Sequence, residues 1–594
     1  MGNEESGMRN EECGIRNEAV DKAQEAGGVS SNSAASSLRL SALSCIFLLL
    51  FLALSRLVLN VYTPLMDPSE SRYAVFAKNM AESGNWWTPT YNYYGAETVF
   101  VGKPPLAFQM SLAFCKMLGT SVFATRIPAF LSAVLILWLV WRNVKKWRDV
   151  QCAQCAVLLT CCSFLFFMYA GQTMTDLILT ATITGAIFSY IGFEQELAIS
   201  NDQLAIDASA TQKPPATRTD RVGSQLEAGR AETGLFGDKT SSSRPCGSAP
   251  QLAASYSVMF FVWIALGVLI KGPVAIVMSG LPVFFYVLIN NRWKNLKYHA
   301  WVLGTIAFIA IIVPYYWIVS IKHPDFLQYF IIEENFNRFL FKGSASRFGT
   351  ARESFYGVSF VWFLVLNLPT VFLLQLYPSK NRKKIYVWSL FKDPLTGMSA
   401  LTCISLVLFW ALTSRVLITY LLPTIPFFAV FLATRFTDAG LMKQDGFAKK
   451  IYLFLISWLL LLPALFTAAV YMGVYYSAEL ASPIVADAVK TIENHPEFSD
   501  RDYYFAVLSP HFAEYYYKSK TKFHDMESFK SSLENSKNDW LFVTERQEKD
   551  YNNPVNRKLV YQKGQWRLYV PEEINDPTPQ AGNVENDSNI LPDN

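Results

Sequence analysis

The chain has 594 residues, of which 52% are apolar and 17% charged, with a formal net charge of +4. That balance excludes an ordinary soluble protein of this size, which would carry more charge and spread its apolar residues periodically. The apolar residues instead fall in blocks of about 20, the length that crosses a bilayer core as a helix, so the class is a polytopic all-α membrane protein with about 11–13 transmembrane helices. Nine cysteines lie mainly in or near these blocks, and none follows Cys403. The polar C-terminal part therefore has no disulfide framework.

Residues 1–38, rich in Glu, Asn, Ser and Gly, are predicted to be a disordered cytoplasmic N-terminus. Residues 39–193 form a first transmembrane part that begins with a retained anchor span. A large external loop over 61–121 follows that anchor. Within the loop, residues 104–119 start with Pro-Pro and are read as a helix lying on or dipping into the interface rather than crossing. A span is predicted over 151–170, where Cys152-x-x-Cys155 reads as apolar filler. Residues 194–253, with Lys213-Pro214-Pro215 and Ser241-Ser242-Ser243, are read as a disordered cytoplasmic linker. A second transmembrane part covers 254–477, with an external loop at 322–354 and a further span over 355–377.

Orientation follows the basic clusters: Arg142 to Arg148, Arg292 to Lys297, Lys380 to Lys384, and Lys443 to Lys450 with Arg435. If all four face the cytoplasm, the N-terminus is inside and the C-terminal part outside. Residues 478–571 then read as a small extracytoplasmic α/β domain. Its strands are expected at Tyr503–Ser509 and Trp540–Thr544, its helices at 511–518 and 525–537. A hairpin of Lys558–Gln562 with Trp566–Val570 completes it. Residues 572–594 read as a disordered tail.

Charges on the external side of this topology are the candidates for function. Asp67-Pro68-Ser69-Glu70 has the form of a capping box opening an amphipathic helix, so Glu70 is equally a structural acid and a catalytic one. Asp67 can cap and also face a substrate. Arg72 suits an anionic partner such as phosphate. Lys103 precedes two prolines that stiffen the backbone and suits a phosphate oxygen, with snorkelling to headgroups as the plain alternative. Asp176 lies at the outer end of a span, where a carboxylate is costly without a partner. Lys271-Gly272-Pro273 reads as a structural turn with its lysine facing headgroups. The 322–354 loop carries Glu333, Glu334, Asn335, Arg338, Lys342, Arg347 and Arg352, more basic residues than an external loop ordinarily holds. Tyr420 reads as a phosphate donor or an ordinary belt aromatic.

Taken in order, several motifs form a set: Glu70-Ser71-Arg72-Tyr73-Ala74, Gly84-Asn85-Trp86, Lys103-Pro104-Pro105-Leu106, Arg126-Ile127-Pro128, Thr175-Asp176, Lys271-Gly272-Pro273-Val274-Ala275 and Thr419-Tyr420-Leu421-Leu422-Pro423. The set resembles the bacterial polyprenyl-phosphate-dependent glycosyltransferases of the aminoarabinose transferase and protein mannosyltransferase-like type. The resemblance implies a GT-C architecture and a sugar donor on an isoprenoid phosphate such as undecaprenyl phosphate. It also implies transfer, with inversion, to a lipid, glycan or protein acceptor on the outer face of the bacterial inner membrane. Carried over by position, the first acid is Asp67 or Glu70 and the second Asp176. Arg72, Tyr73, Lys103, Arg338 and Tyr420 bind the lipid phosphate or sugar. The sequence departs from the family at Ser69, which takes the place of an acid, and at Gly102 and Asn335, which replace plausible ligands of a divalent ion. No metal is therefore assigned.

The chemistry implied is displacement of a lipid monophosphate, its growing charge met by Lys103, Arg72 and Arg338. Asp67 is the expected general base for a hydroxyl acceptor, and Asp176 orients the site. The expected partners are a polyprenyl-phosphate-linked sugar, membrane lipids and an acceptor the residues do not specify, with no nucleic acid. A transporter or flippase of lipid-linked sugars is the alternative, disfavoured by the absence of an inverted repeat.

Overall fold

The computed structural model describes residues 43–66, 69–93, 96–211, 248–337, 355–373, 391–413, 416–441, 445–476, 503–505, 540–544, 557–563 and 566–571. The chain divides into two compact units. The first comprises Met1–Thr63, Phe76–Pro89 and Phe100–Ala468. The second comprises Pro64–Val75, Thr90–Val99 and Ala469–Asn594.

In chain order the helices are α1 (Leu43–Tyr62), α2 (Ser69–Ser83), α3 (Leu106–Leu118), α4 (Val122–Trp147), α5 (Val150–Cys161), α6 (Phe164–Tyr169) and α7 (Thr175–Thr211). They continue with α8 (Ser248–Lys271), α9 (Val274–Asn290), α10 (Trp301–Lys322), α11 (Val358–Leu366), α12 (Leu368–Leu373), α13 (Pro394–Ala411), α14 (Thr424–Asp438) and α15 (Asp445–Tyr476). Among the described residues, eight helical segments are long and apolar enough to cross a membrane: α1, α4, α7, α8, α10, α13, α14 with the turn before it, and α15.

Two of the predicted spans are broken. The one over 151–170 is α5 and α6, separated at Cys162–Ser163; Ser163 caps α6 through Phe166 N–H and donates its hydroxyl to Leu366 O at 2.8 Å. The one over 355–377 is α11 and α12, separated at Asn367, whose amide returns to Phe363 O at 3.0 Å. The Ser163 side chain serves both breaks, accepting from Phe166 N–H at the first and donating to Leu366 O at the second, so backbone groups that a continuous helix would have paired are satisfied at this depth. Helix α3 has only 13 residues, about 20 Å at 1.5 Å per residue and too short to cross alone. The stretch read as a disordered linker is helical at both ends: α7 continues to Thr211 and α8 begins at Ser248.

Helix α7 is the axis of the first unit, its span wholly buried. Its glycines explain how neighbours approach it. A β-carbon on Gly185 would strike the Trp263 ring of α8, and one on Gly192 the Tyr256 ring, so the missing side chains make room for aromatic rings in an interface built on close packing. Cys152 and Cys155 are buried in α5, as apolar filler would be.

Polar contacts define two ends of this helical unit. At one, Lys146 donates to Glu196 (2.6 Å) and to Tyr256 (3.0 Å), while Arg148 bridges Asp393 (2.7 Å) and Asp438 (3.3 Å). Arg435 also reaches Asp438, and Arg292 acts on Glu194, so three of the four basic clusters contribute to this end. The cluster at Lys380–Lys384 lies outside the described residues. At the opposite end Thr173 donates to Thr125 (2.9 Å) and Lys271 to Asp176.

Two buried arginines fix the approach to that second end; the sequence showed Arg126 only as part of a motif and did not mark Arg56. Arg126 donates through Nη1 to Asn60 O (3.0 Å) and Thr63 O (2.7 Å) and so satisfies carbonyls that α1 leaves open. Arg56 donates to Met168 O (2.9 Å) in the last turn of α6, with Phe466 under its guanidinium at 4.6 Å.

The second unit contains an antiparallel hairpin, β1 (Thr90–Tyr93) with β2 (Ala96–Val99), and a four-stranded sheet. The sheet has β3 (Tyr503–Phe505), β4 (Trp540–Thr544), β5 (Arg557–Lys563) and β6 (Trp566–Pro571) in the order β3-β4-β6-β5. Strands β3 and β4 are parallel, and the other two pairs are antiparallel. Period-two patterning is what made these strands visible: Trp566 and Leu568 are buried on one face while Arg567 is only partly covered. The helices expected at 511–518 and 525–537 lie outside the described residues.

Candidate functional site

Helices α7 and α8 run in opposite directions, so the first turn of α7 meets the last turn of α8. Asp176 lies in that first turn and Lys271 ends α8. Each charge sits at the helix pole that favours it, and the two poles meet in a 2.5 Å hydrogen bond from Lys271 Nζ to Asp176 Oδ1. Both side chains are shielded, 4% exposed for Asp176 and 11% for Lys271, so each charge depends on the other for solvation. The expectation that Lys271 faces headgroups is therefore corrected: Gly272 ends α8 with φ +93, and the lysine turns inward.

The motif Thr419-Tyr420-Leu421-Leu422-Pro423 supplies the wall of this pair. Residues Ile418–Leu421 form a 3₁₀ turn and Pro423 opens α14. The Tyr420 ring lies under Lys271 Nζ at 4.0 Å and packs on Trp410, centroids 4.6 Å apart. The buried Thr419 hydroxyl is beside Asp176 but closes no hydrogen bond of ordinary geometry. Lys103, in the irregular stretch between Gly102 and Pro104, is near enough for its charge to act on Asp176. The structure thus brings together Asp176, Lys103 and Tyr420, as the sequence pattern anticipated, and adds Lys271. Two lysines directed at one carboxylate make a grouping that suits a ligand with a concentrated negative charge.

Asp67 and Arg338 lie outside the described residues. Glu70, Arg72 and Tyr73 belong to the second unit. There Glu70 is buried, and its Oε2 accepts from Met66 N–H at 2.8 Å. The capping box is expected to close on Asp67, which lies outside the described residues. Tyr73 is buried, and the Arg72 guanidinium lies 5.8 Å from its ring centroid.

Other motif residues have structural roles. Asn85 Oδ1 accepts from Trp87 N–H and Thr88 N–H, a turn held by its own side chain. Arg126 clamps the end of α1. At the positions where the resemblance puts metal ligands, Gly102 offers none, and Asn335 Nδ2 donates to Phe330 O at 2.7 Å. Among the described residues no group of three or more His, Cys, Asp or Glu side chains could hold a metal ion.

Comparison with known proteins was made against this geometry. Residues 102–200 match the family described as dolichyl-phosphate-mannose-protein mannosyltransferase. The chain is 25% identical over 285 residues to an undecaprenyl phosphate-alpha-4-amino-4-deoxy-L-arabinose arabinosyl transferase of Proteus mirabilis, covering 47% of this chain and 41% of the relative. It is 24% identical to the corresponding transferase of an Enterobacter species over 425 residues, 69% of this chain and 63% of the relative. The matched part thus spans less than two thirds of either relative's length. The crystal structure of ArnT from Cupriavidus metallidurans bound to undecaprenyl phosphate has the same fold, with a TM-score of 0.63 at 15% identity over 88% of this chain and 97% of that one. Over part of its length the chain is thus similar in sequence to polyprenyl-phosphate-dependent glycosyltransferases, and it shares the fold of ArnT.

Proposed function

We propose that the protein is an integral-membrane glycosyltransferase that moves a sugar from a polyprenyl-phosphate donor to an acceptor on the outer face of the bacterial inner membrane. The observation that carries this reading is the convergence of Lys271 and Lys103 on the buried carboxylate of Asp176 at one end of the helical unit. Relatives named for transfer from undecaprenyl phosphate support the donor class.

In this reading the bond between the sugar anomeric carbon and the phosphate oxygen breaks, and the bonding pair leaves with the lipid phosphate. The growing charge is met by Lys103 and Lys271, both in place before the reaction and Lys271 largely shielded from water. Arg72 and Arg338 are assigned to the same phosphate, and Tyr73 and Tyr420 to phosphate or sugar. Asp176 is already committed to Lys271, which suits it to orienting the cation rather than taking a proton. The acceptor oxygen forms the new bond, and its proton passes to Asp67 when the acceptor is a hydroxyl. Glu70, bound to a backbone amide, is the lesser candidate for that base. The residues at positions 102 and 335 do not fit a divalent ion, and no step is routed through one.

The test is incubation of the purified protein with labelled undecaprenyl-phosphate aminoarabinose and a membrane-lipid and glycan extract. Label transferred to an acceptor by the wild type and lost in Asp67→Asn supports the reading. Movement of donor across vesicles without transfer overturns it, and full activity in Asp67→Asn removes Asp67 from the role of base.

A further inference from the structure

The end of α10 and the π-helical segment Gln328–Asn337 build an aromatic cluster in which Tyr315, Val319, Phe326 and Phe330 are buried. Phe326 and Phe330 stack with centroids 5.6 Å apart and planes 12° from parallel, and Tyr316 leans on both. Helices of the π type are rare and concentrate at functional sites. Two further contacts of the cluster link it to the cations: Val101, two residues before Lys103, and Leu269, two residues before Lys271. A third contact is closer. The Phe330 ring lies so near Gly272 that a β-carbon there would stand 2.5 Å from Cζ.

Neither lysine is fixed by its own element. Lys103 sits in an irregular stretch, and Lys271 is the last residue of a helix that ends on a glycine with φ +93. Both backbones instead rest on one packed group that comes from a third place in the chain. We propose that Phe330 is a positioning residue that holds Lys103 and Lys271 in register on Asp176, so that the π-helical segment sets the geometry of the cation pair. The inference rests on the reading that these lysines bind the donor phosphate. It deepens that reading by naming what keeps them in place, since a displacement of about 1 Å in a binding group is enough to cost up to about 100-fold in rate.

The test uses the full chain in nanodiscs with undecaprenyl phosphate as probe. Phe330→Leu and Gly272→Ala disturb the same contact from opposite sides. Each is expected to weaken binding by about tenfold per folded, monodisperse molecule; both also lower the melting temperature, Gly272→Ala because φ +93 strains a side chain and Phe330→Leu because it leaves space in a buried cluster. In the double variant the smaller side chain at 330 makes room for the new methyl, so its loss should not exceed that of Gly272→Ala alone. Wild-type affinity in both single variants, or losses that multiply in the double variant, overturns the proposal. A readout without ligand separates it from the functional reading. Lys103→Cys and Lys271→Cys, joined by a short bismaleimide, should cross-link less in the Phe330→Leu background. If the wild type does not bind undecaprenyl phosphate, the functional reading fails by itself. An unchanged cross-link yield then sinks the positioning claim, and a reduced yield sustains it.

Discussion

The two ends of the helical unit use charge in opposite ways. At the Arg148 end, cations and carboxylates meet in pairs and small networks that join neighbouring helices: Lys146 with Glu196, and Arg148 with Asp393 and Asp438. At the Asp176 end, two lysines act on one carboxylate, beside a buried threonine hydroxyl and over an aromatic ring. The first arrangement balances its charges and ties elements together. The second turns two lysines on one buried carboxylate, a costly grouping that does more than tie two helices. Counting charges does not separate the two ends; their grouping does.

Substitutions can break this contrast. The largest effect is expected for Asp176→Asn, which leaves Lys271 without its partner. Transfer per folded molecule should drop on the order of 1,000-fold, measured as initial rate with labelled donor. A rate within a factor of a few of wild type would make Asp176 merely another helix tie. Lys103→Ala should lower transfer by about 100-fold with little change in melting temperature, because this lysine is not the one bonded to the carboxylate. If stability falls instead and activity per folded molecule holds, the two ends are alike.

At the other end the expected effects are on stability alone. His299 lies just before α10, stacked on Tyr190 with its Nδ1 against Ser257 Oγ at 2.7 Å. Burial pushes its imidazole down from 6.5 to about 4. Between those values the unfolded chain takes up a proton that the folded chain refuses, so stability falls as the pH drops through the window and is undiminished above it. The full loss is about 3 kcal/mol at the acid end. A melting temperature flat between pH 7 and pH 4, or the same decline in His299→Gln, would refute this. The smallest effect is expected for Arg148→Ala. Its pairs are partly exposed, so the loss should be about 1 kcal/mol, seen as about one degree in melting temperature, with transfer per folded molecule unchanged.

Much of this was legible in the residues, for identifiable reasons. Asp176, Lys103 and Tyr420 stood out because a polar side chain at the end of an apolar run is conspicuous by cost. Strands β4 to β6 stood out because alternation has a period that helices lack. Lys271 was misread because its direction depends on α8 packing against α7, and the stretch between these helices gives no hint that they are neighbours. The breaks at Ser163 and Asn367 were invisible because one short polar residue is common inside a membrane helix, and only its bond to a distant or local carbonyl turns it into a stop. Arg126 read as part of a motif; its role as a clamp needed the carbonyls of α1 in view.

The Arg126 clamp bears on how the chain is made. Its acceptors, Asn60 and Thr63, precede it by 66 and 63 residues, so α1 emerges from the ribosome well before the guanidinium that seals its end. Until then those carbonyls depend on water or translocon groups, and the first helix is held in the bilayer only provisionally. Nascent chains arrested before residue 122 should be extracted from membranes by alkali more readily than chains arrested beyond α4, and Arg126→Ala should erase that difference. Equal extraction at both lengths would show that the first helix is secured without it.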